Sequence, residues 1–297
     1  MFSQIFGSYL LNKKLISPDQ LKDALDYQKN VHLKLGVLAV NSGFMNATEV
    51  EKVHGMQAKV DKKFGELAIE MGYLDEEKLQ KLLSTQKTGH LLLGQALVDK
   101  GYMNLEQFEA SLNGYKNEYS LTDEQFKSIQ NEDTTEYVNA FFKFNCSESN
   151  LYKRYASLLI RNIIRFIDDD FKVLDIISVD SVQFDWLASQ EITGEIGMFT
   201  AVSANEQEFI AFAGKYAKDN YSVNDEFVKA SVGEFLNQHN GLYLVNMSID
   251  EIELELTPQV VNNGKKLTGL TDAYIIPVVF SFGKVDFIIS KTAGKIE

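Results

Sequence analysis

FGELAIEMGYLDEEKLQKLLSTQ, residues 64–86, decides how the first part of the chain is read, because it is one of four ungapped copies. The others are residues 6–28, 35–57 and 93–115, so successive copies start 29 residues apart. A period of that size marks a repeat of small supersecondary units. Each copy opens on an apolar residue and a glycine: Phe6-Gly7, Leu35-Gly36, Phe64-Gly65 and Leu93-Gly94. Gly43, Gly72 and Gly101 close the first helix of three copies, and Lys14 stands at that place in the first. Ser17, Asn46, Asp75 and Asn104 precede the second helix, where a side-chain oxygen accepts an orphan backbone N–H. Gln20, Glu49 and Gln107, three residues later, complete a capping box, and Pro18 suits a first helical position. Leu79, Leu82 and Leu83 then recur at helical spacing. Each copy is therefore expected to be helix, turn, helix.

The opening glycine needs a separate reason. Alanine would favour the helix by about 1 kcal/mol at that place. Glycine there implies close approach, either by another part of the chain or by a ligand, and a helix N-terminus is a natural phosphate seat.

With its leading basic residue, Leu-Gly, later Gly and closing Gln, the repeat resembles the MshEN domain at the N-terminus of type II secretion and pilus ATPases (the GspE N-terminal domain). The middle copies carry the likeness: Lys34, Leu35, Gly36, Gly43 and Gln57, then Lys63, Phe64, Gly65, Gly72 and Gln86. The resemblance implies cyclic di-GMP as a ligand at Lys34, Leu35, Gly36, Gln57, Lys63, Phe64, Gly65 and Gln86. The family's leading residue is usually Arg. Here it is Ile5, Lys34, Lys63 and Leu92, and lysine lacks the planar fork that stacks on a base and grips phosphate twice. A structural or docking role is the competing expectation.

Composition bounds the rest. The 297 residues carry a net charge of −13 and are 45% hydrophobic. That supports a packed core and argues against nucleic acid or an anionic membrane surface as partner. Cys146 is the single cysteine, which excludes an internal disulfide and a cysteine zinc cluster. No run reaches the roughly 18 apolar residues of a membrane span. Ile5 to Leu11 runs into Lys13 and Lys14 without the features of a signal peptide. A cytoplasmic protein with no membrane insertion is expected.

The predicted organisation is a repeat domain over 1–118, a helical linker over 119–134 capped at Thr122, and an α+β domain with a mainly antiparallel sheet and packed helices over 135–297. In this last part, helices are predicted over about 151–168, 205–219 and 224–240. Strands are predicted over 173–179, 192–202, 242–255, 273–282 and 284–290. Asn263-Gly264 and Phe282-Gly283 are turn signals, and Pro277 belongs at an edge or bulge.

On the helix over 224–240, Val228, Val232, Phe235 and Leu236 form the buried stripe. Glu234 and Asn237, three residues apart, are neighbours on the other side, with Ala230 and Gly233. Those two small residues would let a partner come close. The run Asp225-Glu226, Ser231, Gly233-Glu234-x-x-Asn237-x-x-x-Gly241 is similar to the signature helix of the CheC/CheX/FliY chemotaxis phosphatases; Ala230 departs from that family's Ser or Asp. The resemblance implies a hydrolase that removes the aspartyl phosphate of a CheY-type response regulator in two-component signalling. Asn237 would hold the attacking water and Glu234 would pair with the receiver's lysine. It implies no cofactor in the chain itself, Mg²⁺ on the partner receiver, and by analogy a homodimer. A non-catalytic adaptor, or a cyclic di-GMP effector, is the alternative.

Family relatives with two sites direct attention to the helix over 151–168. Asn162 is present there, but Leu159 replaces the Glu, so one site is expected. Asp168 to Asp170 suit a solvated turn. His32, His54, His90 and His239 share no ligand spacing, and Trp186 is expected in the core.

Overall fold

The computed structural model describes residues 2–27, 34–57, 60, 62–84, 89–131 and 133–297. Two compact units divide at Asp133/Thr134.

The first unit is helical. Its copies are the pairs α1 (Phe2–Asn12) and α2 (Pro18–Tyr27), α3 (Leu35–Asn41) and α4 (Ala47–Gln57), α5 (Phe64–Glu70) and α6 (Glu76–Ser84), and α7 (Gly89–Asp99) and α8 (Leu105–Glu118). Every expected cap is formed. Gln20, Glu49, Lys78 and Gln107 donate their backbone N–H to Ser17, Asn46, Asp75 and Asn104. Gln20, Glu49 and Gln107 accept the reciprocal bond.

The turn inside each pair needs one left-handed residue. Gly43, Gly72 and Gly101 supply it with φ of 65°, 74° and 69°, and Lys14 is forced to φ 56°. An L side chain in that region costs about 1–2 kcal/mol, so Lys14→Gly is expected to stabilise the first unit by about 1 kcal/mol. Chemical denaturation checks this. An unchanged or lowered midpoint would show that the Lys14 side chain contributes more than its backbone strain removes.

The structure also explains the opening glycines. A Cβ on Gly7, Gly36, Gly65 or Gly94 would lie 2.9, 2.7, 2.8 or 2.3 Å from Leu21, Val50, Leu79 or Phe108. Each of those side chains stands fourteen positions later in the same copy. The close approach is the packing of the pair's second helix on its first.

The copies are not stacked in sequence order. The first packs on the fourth through α2 on α7 and α1 on α7 and α8, and α3 touches α4, α5, α6, α7 and α8. In a linear solenoid each repeat meets only its neighbours. The predicted linker over 119–134 is also corrected. α9 (Asp123–Gln130), capped by Thr122, buries Ile129 and sets Phe126 against the rings of Phe2 and Tyr115. That apolar face makes it part of the first unit.

The second unit is α+β. Helices α10 (Thr134–Phe141), α11 (Ser149–Phe166), α12 (Glu206–Ala217) and α13 (Glu226–Ser248) accompany one antiparallel sheet. Its strands are β1 (Phe171–Val173), β2 (Ile177–Val179), β3 (Val182–Gly194), β4 (Met198–Ala204), β5 (Leu254–Leu256), β6 (Val260–Thr268), β7 (Ala273–Phe280), β8 (Gly283–Ser290) and β9 (Lys295–Ile296). The order is β1-β7-β8-β4-β3-β6-β9, with β2 on β7 and β5 on β3. Every residue of β4 is buried, as a central strand covered on both faces should be. α12 packs on β3, β4 and β8, and α13 on β3, β4, β5 and β6. Phe212 and Phe235 meet Phe287 beneath the helices.

Four predicted elements change, among them the strand over 173–179, which splits into β1 and β2. Residues 192–202 hold the corner between β3 and β4, with pairing from Ile192↔Met198 onward. Residues 242–248 continue α13, because Tyr243 and Met247 follow His239 at four-residue intervals on the buried side. Asn263-Gly264 lies inside β6, where Gly264 takes φ 61° as the burial alternation of β3 slips at Asp185–Trp186 opposite it. Pro277 does sit at a break: Val173 pairs with Val278 and Ile177 with Ile275, so its missing N–H falls where the neighbouring strand is interrupted.

Candidate functional site

α13 starts on Asp225, whose carboxylate accepts from the N–H groups of Phe227 and Val228. Val228, Val232, Phe235, Leu236, His239, Tyr243 and Met247 face inward. The outward stripe runs through Phe227, Ala230, Glu234, Gly241, Val245 and Ile249, spaced three to seven residues apart as one helical face requires. Glu234 is exposed and Asn237 is half-buried at the stripe's border. Phe227 is 72% exposed, Val245 59% and Ile249 76%. Glu234 thus lies between apolar side chains that meet little of the chain itself.

Gly233 does not share the open face with Ala230. It is buried, and a Cβ on it would stand 3.0 Å from Gln259 Cγ. The group that comes close to it is the chain's own segment between β5 and β6.

Asn237 is held from below. Gln190 of β3 donates Nε2–H to Asn237 Oδ1 at 2.8 Å and to the main-chain oxygen of Thr257 at 2.8 Å. Asn240, fully buried, donates from Nδ2 to Gln190 Oε1 at 2.8 Å and to Thr200 Oγ1 at 2.9 Å. Tyr155 donates its hydroxyl to Asn240 Oδ1 at 2.8 Å. The sequence pattern pointed to Glu234 and Asn237 but not to Gln190, Thr257 or Asn240. Gln190 does leave a trace: it is a polar residue within a run where Leu187, Ala188 and Ile192 are all buried.

The incomplete second pair is internal. Leu159 and Asn162 are buried, and Asn162 Nδ2 lies 2.8 Å from His239 Nδ1. Burial, with Arg161 nearby, pushes the His239 imidazole down to about 3, so the ring is neutral at ordinary pH. Asp168 is engaged by Lys215 at 2.6 Å. Trp186 is half-buried rather than core, with Lys229 over its ring. No group of three or more His, Cys, Asp or Glu able to hold a metal exists among the described residues. No helix among them is long and apolar enough to cross a membrane.

In the first unit, Lys34 Nζ pairs with Asp99 at 2.6 Å and its N–H donates to Gln95 Oε1. Leu35 reaches Gly65, and His54 packs on Phe64. Gly36 and Gly65 are buried, Lys63 is exposed, and Gln57 donates to the main-chain oxygen of Lys62. Gln86 lies outside the described residues. The two middle copies therefore meet at their opening residues, with one of the two leading lysines already paired.

No protein-family model matches the chain, and no match was found among curated proteins. Solved structures do match, and the likeness lies in the C-terminal half. A chemotactic CheC-like protein from Shewanella oneidensis MR-1 is 14% identical over 48% of this chain and 97% of its own, with a TM-score of 0.43. Chemotaxis protein CheX from Vibrio vulnificus is 16% identical over 48% and 98%, with a TM-score of 0.42. The CheX–CheY–BeF3–Mg²⁺ complex from Borrelia burgdorferi matches at 12% identity over 47% and 96%, with a TM-score of 0.40.

Proposed function

We propose that the second unit hydrolyses the aspartyl phosphate of a CheY-type receiver domain, docking through α13. One observation carries this reading: Glu234 and a clamped Asn237 lie on or beside an outward helical stripe that also exposes Phe227, Val245 and Ile249. Single exposed apolar residues are ordinary, whereas several large ones along one stripe mark a partner surface.

The chemistry suits so few groups. A water oxygen attacks phosphorus, the bond from phosphorus to the aspartyl oxygen breaks, and phosphate and a carboxylate are released. The attack must be in line, so catalysis is mostly positioning. Asn237 has two Nδ2 hydrogens beyond its bond to Gln190 and fixes the water. Glu234 pairs with the receiver's lysine and sets the register. The Mg²⁺ is the receiver's.

Decay of a panel of phosphorylated receivers, with and without the full chain, tests the proposal; no acceleration for any receiver overturns it. A non-catalytic adaptor would instead form a stable complex and leave decay unchanged. Glu234→Ala is expected to raise the half-saturating receiver concentration about tenfold, the scale of one lost ion pair at an interface, with the limiting rate within threefold. A fall in limiting rate alone would assign Glu234 to the chemistry instead.

For the first unit the proposal is a sensing or docking module with cyclic di-GMP as its ligand. The sequence motif about Lys34 and Lys63 supports it; the opening glycines are explained by packing and add nothing. Calorimetry with cyclic di-GMP is the test: heat that disappears in Lys63→Ala is expected, and no heat at high micromolar ligand retires the idea.

A further inference from the structure

We propose that Gln190 is a positioning residue for Asn237, and that two main-chain carbonyls fix which way the Asn237 amide points. The inference rests on the phosphatase reading above and adds the device that prepares the site before a partner arrives.

A carboxamide's oxygen and nitrogen are alike in size, so its direction follows from its partners. A main-chain carbonyl can only accept. The oxygen of Thr257, 2.8 Å away, therefore requires Nε2 of Gln190 on its side. Asn237 lies 2.8 Å from that same nitrogen, so it must present Oδ1.

The other end of the chain of bonds gives the same direction independently. Thr200 Oγ1 donates its only hydrogen to the main-chain oxygen of Gln190 at 3.1 Å. It can therefore meet Asn240 only as an acceptor. Asn240 turns Nδ2 toward it, and the same nitrogen faces Gln190 Oε1. Asn240 Oδ1 is left to accept from Tyr155. Reversing any one amide would set donor against donor or acceptor against acceptor.

Asn237 consequently has its oxygen committed and both Nδ2 hydrogens available in one orientation. A donor pair aimed in advance needs no reorganisation when the reaction occurs, which is the main source of electrostatic catalysis. Gln190 itself is 2% exposed, so it acts on the reaction through Asn237 and not by touching the receiver.

The test uses the full chain and a phosphorylated receiver that the wild type hydrolyses. Gln190→Met keeps the length and removes all three side-chain hydrogen bonds, those to Asn237, Thr257 and Asn240. It is expected to lower the limiting rate at least tenfold and to leave the half-saturating receiver concentration within twofold. In an Asn237→Ala background, Gln190→Met should change the rate less than twofold, because the group it positions is already gone. Equal losses in both backgrounds, or a loss confined to the half-saturating concentration, would overturn the proposal.

A second measurement needs no activity and no variant: nuclear Overhauser contacts of the Asn237 and Gln190 side-chain NH₂ groups by NMR, which report the side-chain rotamer of Asn237 together with the direction of its amide. One rotamer and one amide direction in the wild type are expected, and averaging there overturns the proposal. A single rotamer with no receiver hydrolysed would sink the phosphatase reading while supporting the positioning.

Discussion

Asn237→Ala is expected to lower the proposed acceleration of receiver dephosphorylation by about 10²–10³-fold, the usual scale for removing one preorganised donor from a reacting centre. The half-saturating receiver concentration should stay within threefold, because the proposed docking rests on the exposed stripe and on Glu234 rather than on a half-buried amide. The variant should fold. Alanine favours the helix, and Gln190 keeps its bonds to Thr257 and Asn240 when Asn237 is removed. Phosphate release at saturating receiver separates the possibilities. A limiting rate within threefold of wild type would remove Asn237 from the chemistry, and a large rise in half-saturating concentration would make it a docking residue. Asn237→Gln is informative beside it. One extra methylene displaces the amide by about 1 Å, a shift that costs on the order of 10² in rate when positioning is the mechanism.

The candidate site was legible where its parts are close in sequence. Glu234 and Asn237 are three residues apart on one helix, so their shared surface follows from helical geometry alone. The capping residues and the left-handed position occupied by Lys14 are equally local, and the repeat showed them four times. The partner of each opening glycine was also within reach of the sequence, since an apolar side chain stands fourteen residues on in every copy.

What was not legible depends on distant contacts. Nothing in a 29-residue period says that the first copy packs on the fourth. Residues 242–245, Leu-Tyr-Leu-Val, carry strand-forming side chains, yet the packing of Tyr243 and Met247 keeps them helical, a case of tertiary context overriding propensity. Gln190 escaped because its strand was placed too late in the sequence, and its partners lie 47, 50 and 67 positions away.

Asn240→Leu is the substitution expected to cost the second unit most stability for its size. Leucine matches asparagine in bulk and favours a helix, so sequence arguments alone make it benign. The network says otherwise. Asn240 serves three buried partners: it accepts from Tyr155 and donates to Gln190 and Thr200. Leucine leaves the Tyr155 hydroxyl, Gln190 Oε1 and one Thr200 lone pair without them. Each stranded buried group costs about 1–3 kcal/mol. A lone pair on a hydroxyl that still donates is the least demanding of the three, so a total near 3–5 kcal/mol is expected. Tyr155→Phe strands Asn240 Oδ1, with the loss of a contact to the Thr200 hydroxyl that still has other partners, and should cost about 1–3 kcal/mol. Urea denaturation of the full chain, followed by a probe in the second unit, checks the order. Asn240→Leu must fall well below Tyr155→Phe, and the double variant must recover part of the loss, since removing both partners of a bond is milder than removing one. Strict additivity, or equal losses in the two single variants, would mean that these groups are not the continuous chain of bonds that holds Asn237.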